Sequence, residues 1–293
     1  MVLHRRNEGI PSPSLGYGGT WHKALETHYK AAECSEADLV DQVLTAASEH
    51  WVDHQIPDDF RTLQRLHLEY RKYLKRYGLP WREEARTVGW PDAPRVELSG
   101  EVAIPGARHP YAYKIDRIYK LQSQYFVEDH KTCSRFDKNF FRQFELDNQM
   151  MGYAYVAQLL TGKPIAGVRI SAAVIHKNDS LFEQRTIPYS QPRLNDWARN
   201  LDVWQERIES SHELSDLILR GDHGQITNPT EFQNGIDTAW PMNLWACSGR
   251  KYGNCGFIGV CSMPPHLRQR VLEEEFEVKP WNPLEAEDGD VDG

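Results

Sequence analysis

The sequence predicts an α/β protein: one mixed β-sheet with helices on its faces. Three strand-like runs, RVELSGEVAI, YAYKIDRIYK and YFVEDHK, follow one another between Arg95 and Lys131. A long helical pattern separates them from two further runs, GVRISAAVIH and LFEQRTIP. Strands joined by short turns pair antiparallel, whereas a strand returning after a helix lies parallel, so the sheet should be mixed.

Residues 1–18, rich in Pro, Gly and Ser, read as irregular. A helix is expected from about Gly19, capped by Thr20, through WHKALETHYKAAE. Helical patterns over about 36–50 and 58–77 follow, the second closing at Gly78 with Pro80 beyond it. With the residues up to 86 they form an expected helical layer. The three strands come next, then a helix over about 144–161 stopped by Gly162. After the last two strands, a helix over about 191–209 leads into an irregular C-terminal region rich in Gly, Cys, Trp and Pro. No internal repeat interrupts this order.

The 293 residues, 40% of them hydrophobic, suffice for a packed core. We expect a single domain over residues 1–272, with its core at about 95–210 and a cysteine-containing region at about 240–265. Residues 273–293 read as an acidic, disordered tail. That tail holds nine acids and one lysine, which accounts for the whole net charge of −8 and leaves residues 1–272 neutral. The body has basic stretches at Arg61–Arg86 and Arg135–Arg142, so net charge does not exclude a nucleic acid. No run reaches the roughly 18 apolar residues of a membrane span. MVLHRRNEG has no apolar segment behind its charges, as a secretory signal requires. Five cysteines, an odd number, fit a reducing cytoplasm.

The strand YFVEDHK begins apolar and ends on Glu128, Asp129, His130 and Lys131. Only Gln122 and Ser123 separate it from YAYKIDRIYK, as in a tight hairpin. A turn centred between those two residues sets Asp116 opposite Asp129, with Lys131 on the same face by the two-residue period. Carboxylates paired in this way stand about 5 Å apart and repel. A structural hairpin has no need of that repulsion, whereas a divalent cation does. Glu128 and His130 point to the opposite face.

KIDRIY followed by DHKT resembles the core of the PD-(D/E)XK nucleases, with Asp116 and Asp129–Lys131 at the motif positions. GYGGTWHKALE resembles the Gly-x-x-x-His helix of the RecB-like branch, with His22 as the histidine. QMMGYAY resembles its Gln-x-x-x-Tyr motif, with Gln149 and Tyr153 four apart on one helical face. That branch includes AddB-type, CRISPR-adaptation and phage exonucleases. The resemblance implies a restriction-endonuclease-like mixed sheet and a DNA nuclease using magnesium or manganese. It implies His22, Asp116, Asp129 and the His130 carbonyl as metal ligands, and Asp116, Asp129, Lys131, Gln149 and Tyr153 as the catalytic set. Recombination, repair or phage DNA metabolism is the expected setting, with a recombination or replication protein as partner. Glu26, four residues after His22, is a candidate partner for it, or else a solvated acid.

WACSGRKYGNCGFIGVC holds Cys247, Cys255 and Cys261. Several RecB-like nucleases bind an iron–sulfur cluster through three C-terminal cysteines and one ahead of the histidine helix. No cysteine precedes His22 here, so Cys34 is the candidate fourth ligand, and the ancestral start is expected to lie upstream of Met1. Two other functions remain open from sequence. One is a catalytically inactive DNA-binding subunit, which the intact Asp116, Asp129 and Lys131 oppose. The other is a zinc-stapled interaction protein built on the cysteines.

Overall fold

The structure of the chain, a computed structural model, describes residues 2–5, 13–51, 60–82, 84–89, 92–220, 238–239, 255 and 257–279. It contains two compact units. The larger comprises Ile10–Pro105 and Pro110–Ala198; the smaller comprises Met1–Gly9, Gly106–His109 and Arg199–Asn282.

In chain order the elements are β1 (Val2–Arg5), α1 (Pro13–Lys30), α2 (Glu36–His50), α3 (Leu63–Tyr77), β2 (Ala85–Thr87), β3 (Val96–Val102), β4 (Tyr111–Leu121) and β5 (Gln124–Cys133). A 3-10 turn at Phe140–Phe144 leads to α4 (Asn148–Thr161), β6 (Ile165–Ile175), β7 (Ser180–Ile187) and α5 (Gln191–Arg220). Beyond these lie α6 (Ile258–Cys261), α7 (Pro265–Glu275) and β8 (Phe276–Lys279).

The larger unit is built on a six-stranded sheet in the order β2–β4–β5–β6–β7, with β3 also paired to β4. β5 and β6 are parallel, joined across α4, and the other pairings are antiparallel. This is the expected mixed sheet. In the β4–β5 hairpin Leu121 pairs with Gln124 and Arg117 with Glu128, the register expected from a turn at Gln122 and Ser123. A core of Trp21, Leu25, Leu39, Val43, Tyr70, Tyr73 and Phe182, among others, is buried where α1, α2 and α3 pack together and against the sheet.

Helix ends follow their caps. Ser35 opens α2 by accepting from the Asp38 amide, and Gly162 closes α4 in the left-handed region at φ 63°. Helix α3 starts at Leu63, later than expected, because the Thr62 side chain caps it by accepting from the Arg65 amide. The first helix departs more. It starts at Pro13, so Thr20 is not a cap; it is buried mid-helix, with Oγ1 3.3 Å from His50 Nδ1. The preceding glycines serve close packing rather than a break. A Cβ at Gly18 would stand 3.1 Å from Thr132 Oγ1 on β5. Residues 85 and 86, expected within the helical layer, belong to β2 instead, and α5 runs past 209 to Arg220.

In the smaller unit β1 pairs antiparallel with β8, so the N-terminal lead is not irregular throughout. The acidic tail expected from residue 273 opens as the last turn of α7 and as β8. Arg270 pairs with Glu274 at 2.7 Å one turn on, and Phe276 is buried with its ring stacked 5.0 Å from Phe257. Residues 280–293 lie outside the described residues. Among the described residues no helix is long and apolar enough to cross a membrane.

Candidate active site

The polar end of β5 does not surface. Glu128, Asp129 and His130 are 0%, 2% and 3% exposed, and Asp116 on β4 is 7% exposed. The hairpin register continues from Arg117–Glu128 to Asp116 beside Asp129, and the Asp116 carboxylate (Oδ2) accepts the His130 amide at 2.6 Å. Both oxygens of Asp129 lie against Lys131 Nζ, at 2.9 and 2.8 Å. Acid and lysine therefore share one face, as the alternation predicts.

Helix α1 brings His22 to the same place. Its Nε2 donates to the His130 carbonyl at 2.9 Å, while Nδ1 stands 3.5 Å from both Glu97 and Asp116. With polar partners on both nitrogens, the imidazolium is the favoured form. Burial acts to lower the pKa of His22, but Asp116, Glu97 and Asp129 outweigh it and raise it from 6.5 to about 9. Burial pushes Asp116 up to about 7; Asp129 and Glu97 add to this and His22 opposes it. Asp129 is also raised by burial, against the pull of Lys131. Burial would lower Lys131, but Asp129 and Asp116 raise it, so the ammonium persists.

Sequence reading missed Glu97. Val96 pairs with Arg117 and Leu98 with Ile115, so Glu97 on β3 falls beside Asp116. Its φ of 49° lies in a region that disfavours side chains, a strain that clusters at functional sites. The signal in RVELSGEV was unreadable because no short turn joins β3 to β4 and fixes their register.

Donor atoms of His22, Glu97 and Asp116 all lie within 4.8 Å of one another. One buried and one half-buried carboxylate, an imidazole and the adjacent His130 carbonyl fit a hard divalent cation, and the carboxylate charge now rests on the His22 imidazolium. Asp129, also expected among the ligands, lies beside Asp116 with both oxygens against Lys131 Nζ.

Helix α4 contributes the remaining pair. Gln149 Nε2 donates to the Tyr153 hydroxyl at 2.9 Å, and the N-cap Asp147 accepts the Gln149 amide. Burial raises the Tyr153 hydroxyl above its ordinary range, with Asp116 and Asp129 adding to the effect. Tyr153 therefore sits within the field of the Asp116 and Asp129 carboxylates.

Glu26 does not serve His22; it pairs with Lys23 at 3.1 Å and Lys30 at 2.6 Å. Cys34 lies ahead of α2, with Sγ accepting from Gln42 at 3.9 Å. Cys255 and Cys261 are free thiols in the smaller unit, and Cys247 lies outside the described residues. Among the described residues, no cysteine belongs to a group of three or more potential metal ligands.

A family model described as the PD-(D/E)XK nuclease superfamily matches residues 3–261. The chain belongs to that superfamily. As a member of a nuclease family it is a phosphodiester hydrolase, and the mixed sheet flanked by helices is of the restriction-endonuclease-like kind. No curated protein matches this nuclease. Among solved structures, the crystal structure of SSO0001 is 16% identical, with 64% of this chain and 85% of that chain covered, at a TM-score of 0.27. At that score the likeness adds nothing to the fold.

The titration of His22 gives a test. A histidine raised from 6.5 to about 9 stabilises the metal-free fold fully below about 6.5, and this stability is lost as pH rises through about 9. A metal needs the neutral imidazole, so binding must expel that proton. Affinity for Mn²⁺ should therefore climb between pH 7 and 9, with protons released on binding. Calorimetry in buffers of different ionisation enthalpy measures the release. It should shrink in His22→Ala, and equal release from both proteins would remove His22 from the metal site.

Proposed function

We propose that this nuclease is a metal-dependent deoxyribonuclease of the RecB-like branch, an exonuclease using magnesium or manganese in recombination, repair or phage DNA metabolism. The reading rests on one observation: Asp116, Asp129 and Lys131 lie side by side on a buried hairpin end, with His22 and Glu97 beside Asp116. The contact of His22 with the His130 carbonyl and the Gln149–Tyr153 pair support the RecB-like branch. The family match reaches residues of both units, so we read residues 1–272 as one nuclease domain.

His22, Glu97, Asp116, Asp129 and the His130 carbonyl would hold the ion. When bound it supplies Lewis acidity and a water of lowered pKa. The chain's own groups do the rest. Lys131, held by Asp129, keeps its ammonium where it can orient the attacking water and offset charge growing on the phosphate. Tyr153, with Gln149 on its hydroxyl, lines the carboxylate side and positions the scissile group. Burial keeps the site at low dielectric, which strengthens these interactions.

The test is cleavage of single- and double-stranded DNA, linear and circular, with magnesium or manganese. Degradation confined to linear substrates is the expected result, and nicking of circles would make the enzyme an endonuclease. DNA binding without cleavage under any metal would instead identify an inactive binding subunit. Zinc bound to the cysteines, with neither binding nor cleavage, would point to an interaction protein.

A further inference from the structure

Helix α3 and the turn after it carry far more positive charge than the fold requires. Between Arg61 and Arg82 stand seven cations and one carboxylate, Glu69, in a chain whose net charge is −8. The buried side of α3, Leu66, Tyr70, Tyr73 and Leu74, explains the helix without them. Several of the cations have evident structural work. Arg65 and Lys72 both bind the buried Glu69, at 2.6 and 3.0 Å, and Arg76 reaches Glu183 at 4.0 Å.

Arg71, Lys75 and Arg82 differ. All three are exposed, and none is in an ion pair or side-chain hydrogen bond among the described residues. Arg71 and Lys75 are one helical turn apart, a like-charge spacing that destabilises an isolated helix. Gly78, at φ 85°, ends the helix, and buried Leu79 and Trp81 pin the turn that brings Arg82 back. The three cations converge on one cavity of about 540 Å³, lined also by Leu74, Tyr77, Gly78, Leu79 and Glu36. A merely solvated basic face would scatter its charges outward. Here they are gathered around a concave surface where, among the described lining residues, Glu36 is the opposing acid.

We propose that this cavity is a second anion site, which cradles successive phosphates of a nucleic-acid strand apart from the catalytic carboxylates. It rests on the nucleic-acid reading above and adds to it where the strand is gripped. Arg71 and Arg82 present planar forks suited to phosphate oxygens, and Lys75 adds a point charge. Contacts of this kind fix the position of a strand without reading its sequence. Glu36 opposes the anion and weakens the grip.

The test uses the full chain in EDTA, where no cleavage occurs, with a fluorescent single-stranded oligonucleotide titrated at several salt concentrations. Each released counterion contributes about 0.7 to the slope of log K against log salt for single strands. Replacing Arg71, Lys75 and Arg82 together by glutamine should therefore flatten the slope by about 2, and Glu36→Gln should tighten binding. With metal restored, the triple variant should raise KM for a long strand while leaving kcat for a dinucleotide unchanged. A control replacing exposed Lys163, Lys177 and Arg193 by glutamine matches the loss of net charge. Equal flattening in the control would reduce the effect to bulk charge and overturn the proposal. An unchanged slope in the triple variant, with wild-type binding intact, would overturn it while leaving the nuclease reading standing. Failure of the wild-type protein to bind any strand would instead remove the nucleic-acid reading itself. Loss of pyrophosphate binding in the triple variant, with strand binding unaltered, would make the cavity a small-anion site and likewise overturn the proposal.

Discussion

Lys131→Ala, Asp116→Asn and Asp129→Asn are each expected to lower cleavage at least about 10²–10³-fold, the scale of removing one group that stabilises a transition state. Circular dichroism should show the fold intact in all three. Their effects on stability should differ, and that difference is the sharper test. Asp116 is buried, with a pKa pushed up to about 7, so above that pH its ionised carboxylate weighs against folding in the metal-free protein. Asparagine keeps an oxygen for the His130 amide and loses the charge, so metal-free Asp116→Asn should melt no lower than wild type at pH 8. Carboxylate repulsion alone predicts the same gain for Asp129→Asn. The contacts argue otherwise, because Lys131 Nζ lies within 2.9 Å of both Asp129 oxygens and would lose its counter-charge. Thermal melts of the two variants side by side, in EDTA, decide the matter. A stability gain from Asp129→Asn equal to that from Asp116→Asn would mean that the Lys131 contact contributes nothing.

Local signals account for what could be read from the sequence. The two-residue turn at Gln122 and Ser123 fixes the β4–β5 register, and that register sets Asp116 beside Asp129. Side-chain caps at Ser35 and Asp147 and the left-handed Gly162 mark helix ends within a few residues. What escaped depends on tertiary packing. The glycines before Trp21 look like a break, yet Gly18 is small because Thr132 on β5 lies against it. Glu97 belongs to the site only through a β3–β4 pairing that no tight turn announces. The irregular ends of the chain hide a strand pair, β1 with β8, formed by segments more than 270 residues apart. Such distant pairings leave no local trace.

Glu128 is the most instructive neighbour of the site. Strand alternation turns it away from Asp129, which suggests a harmless position, and Glu128→Gln would then serve as a neutral control. A strand in the middle of a sheet covered on both faces has no exposed side, however. Glu128 is 0% exposed and Arg117 1%; they pair at 2.8 Å, and the guanidinium lies 3.7 Å over the Tyr29 ring. Arg117 also donates to Thr87 and to the Ala85 carbonyl, tying β2 to β4. Removing one charge of such a pair strands the other, at a cost of about 3–5 kcal/mol. Glu128→Gln should therefore lose about that much in urea unfolding, yet retain cleavage per folded molecule at low temperature. Arg117→Met should lose at least as much, since the Thr87 and Ala85 contacts go with it. The double variant Arg117→Met, Glu128→Leu leaves no orphaned charge and should recover part of the loss, so the two single effects will sum to more than the double one. Strict additivity, or a Glu128→Gln loss under about 0.5 kcal/mol, would show that the pair is solvated and that the buried face is not what holds β4 to β5.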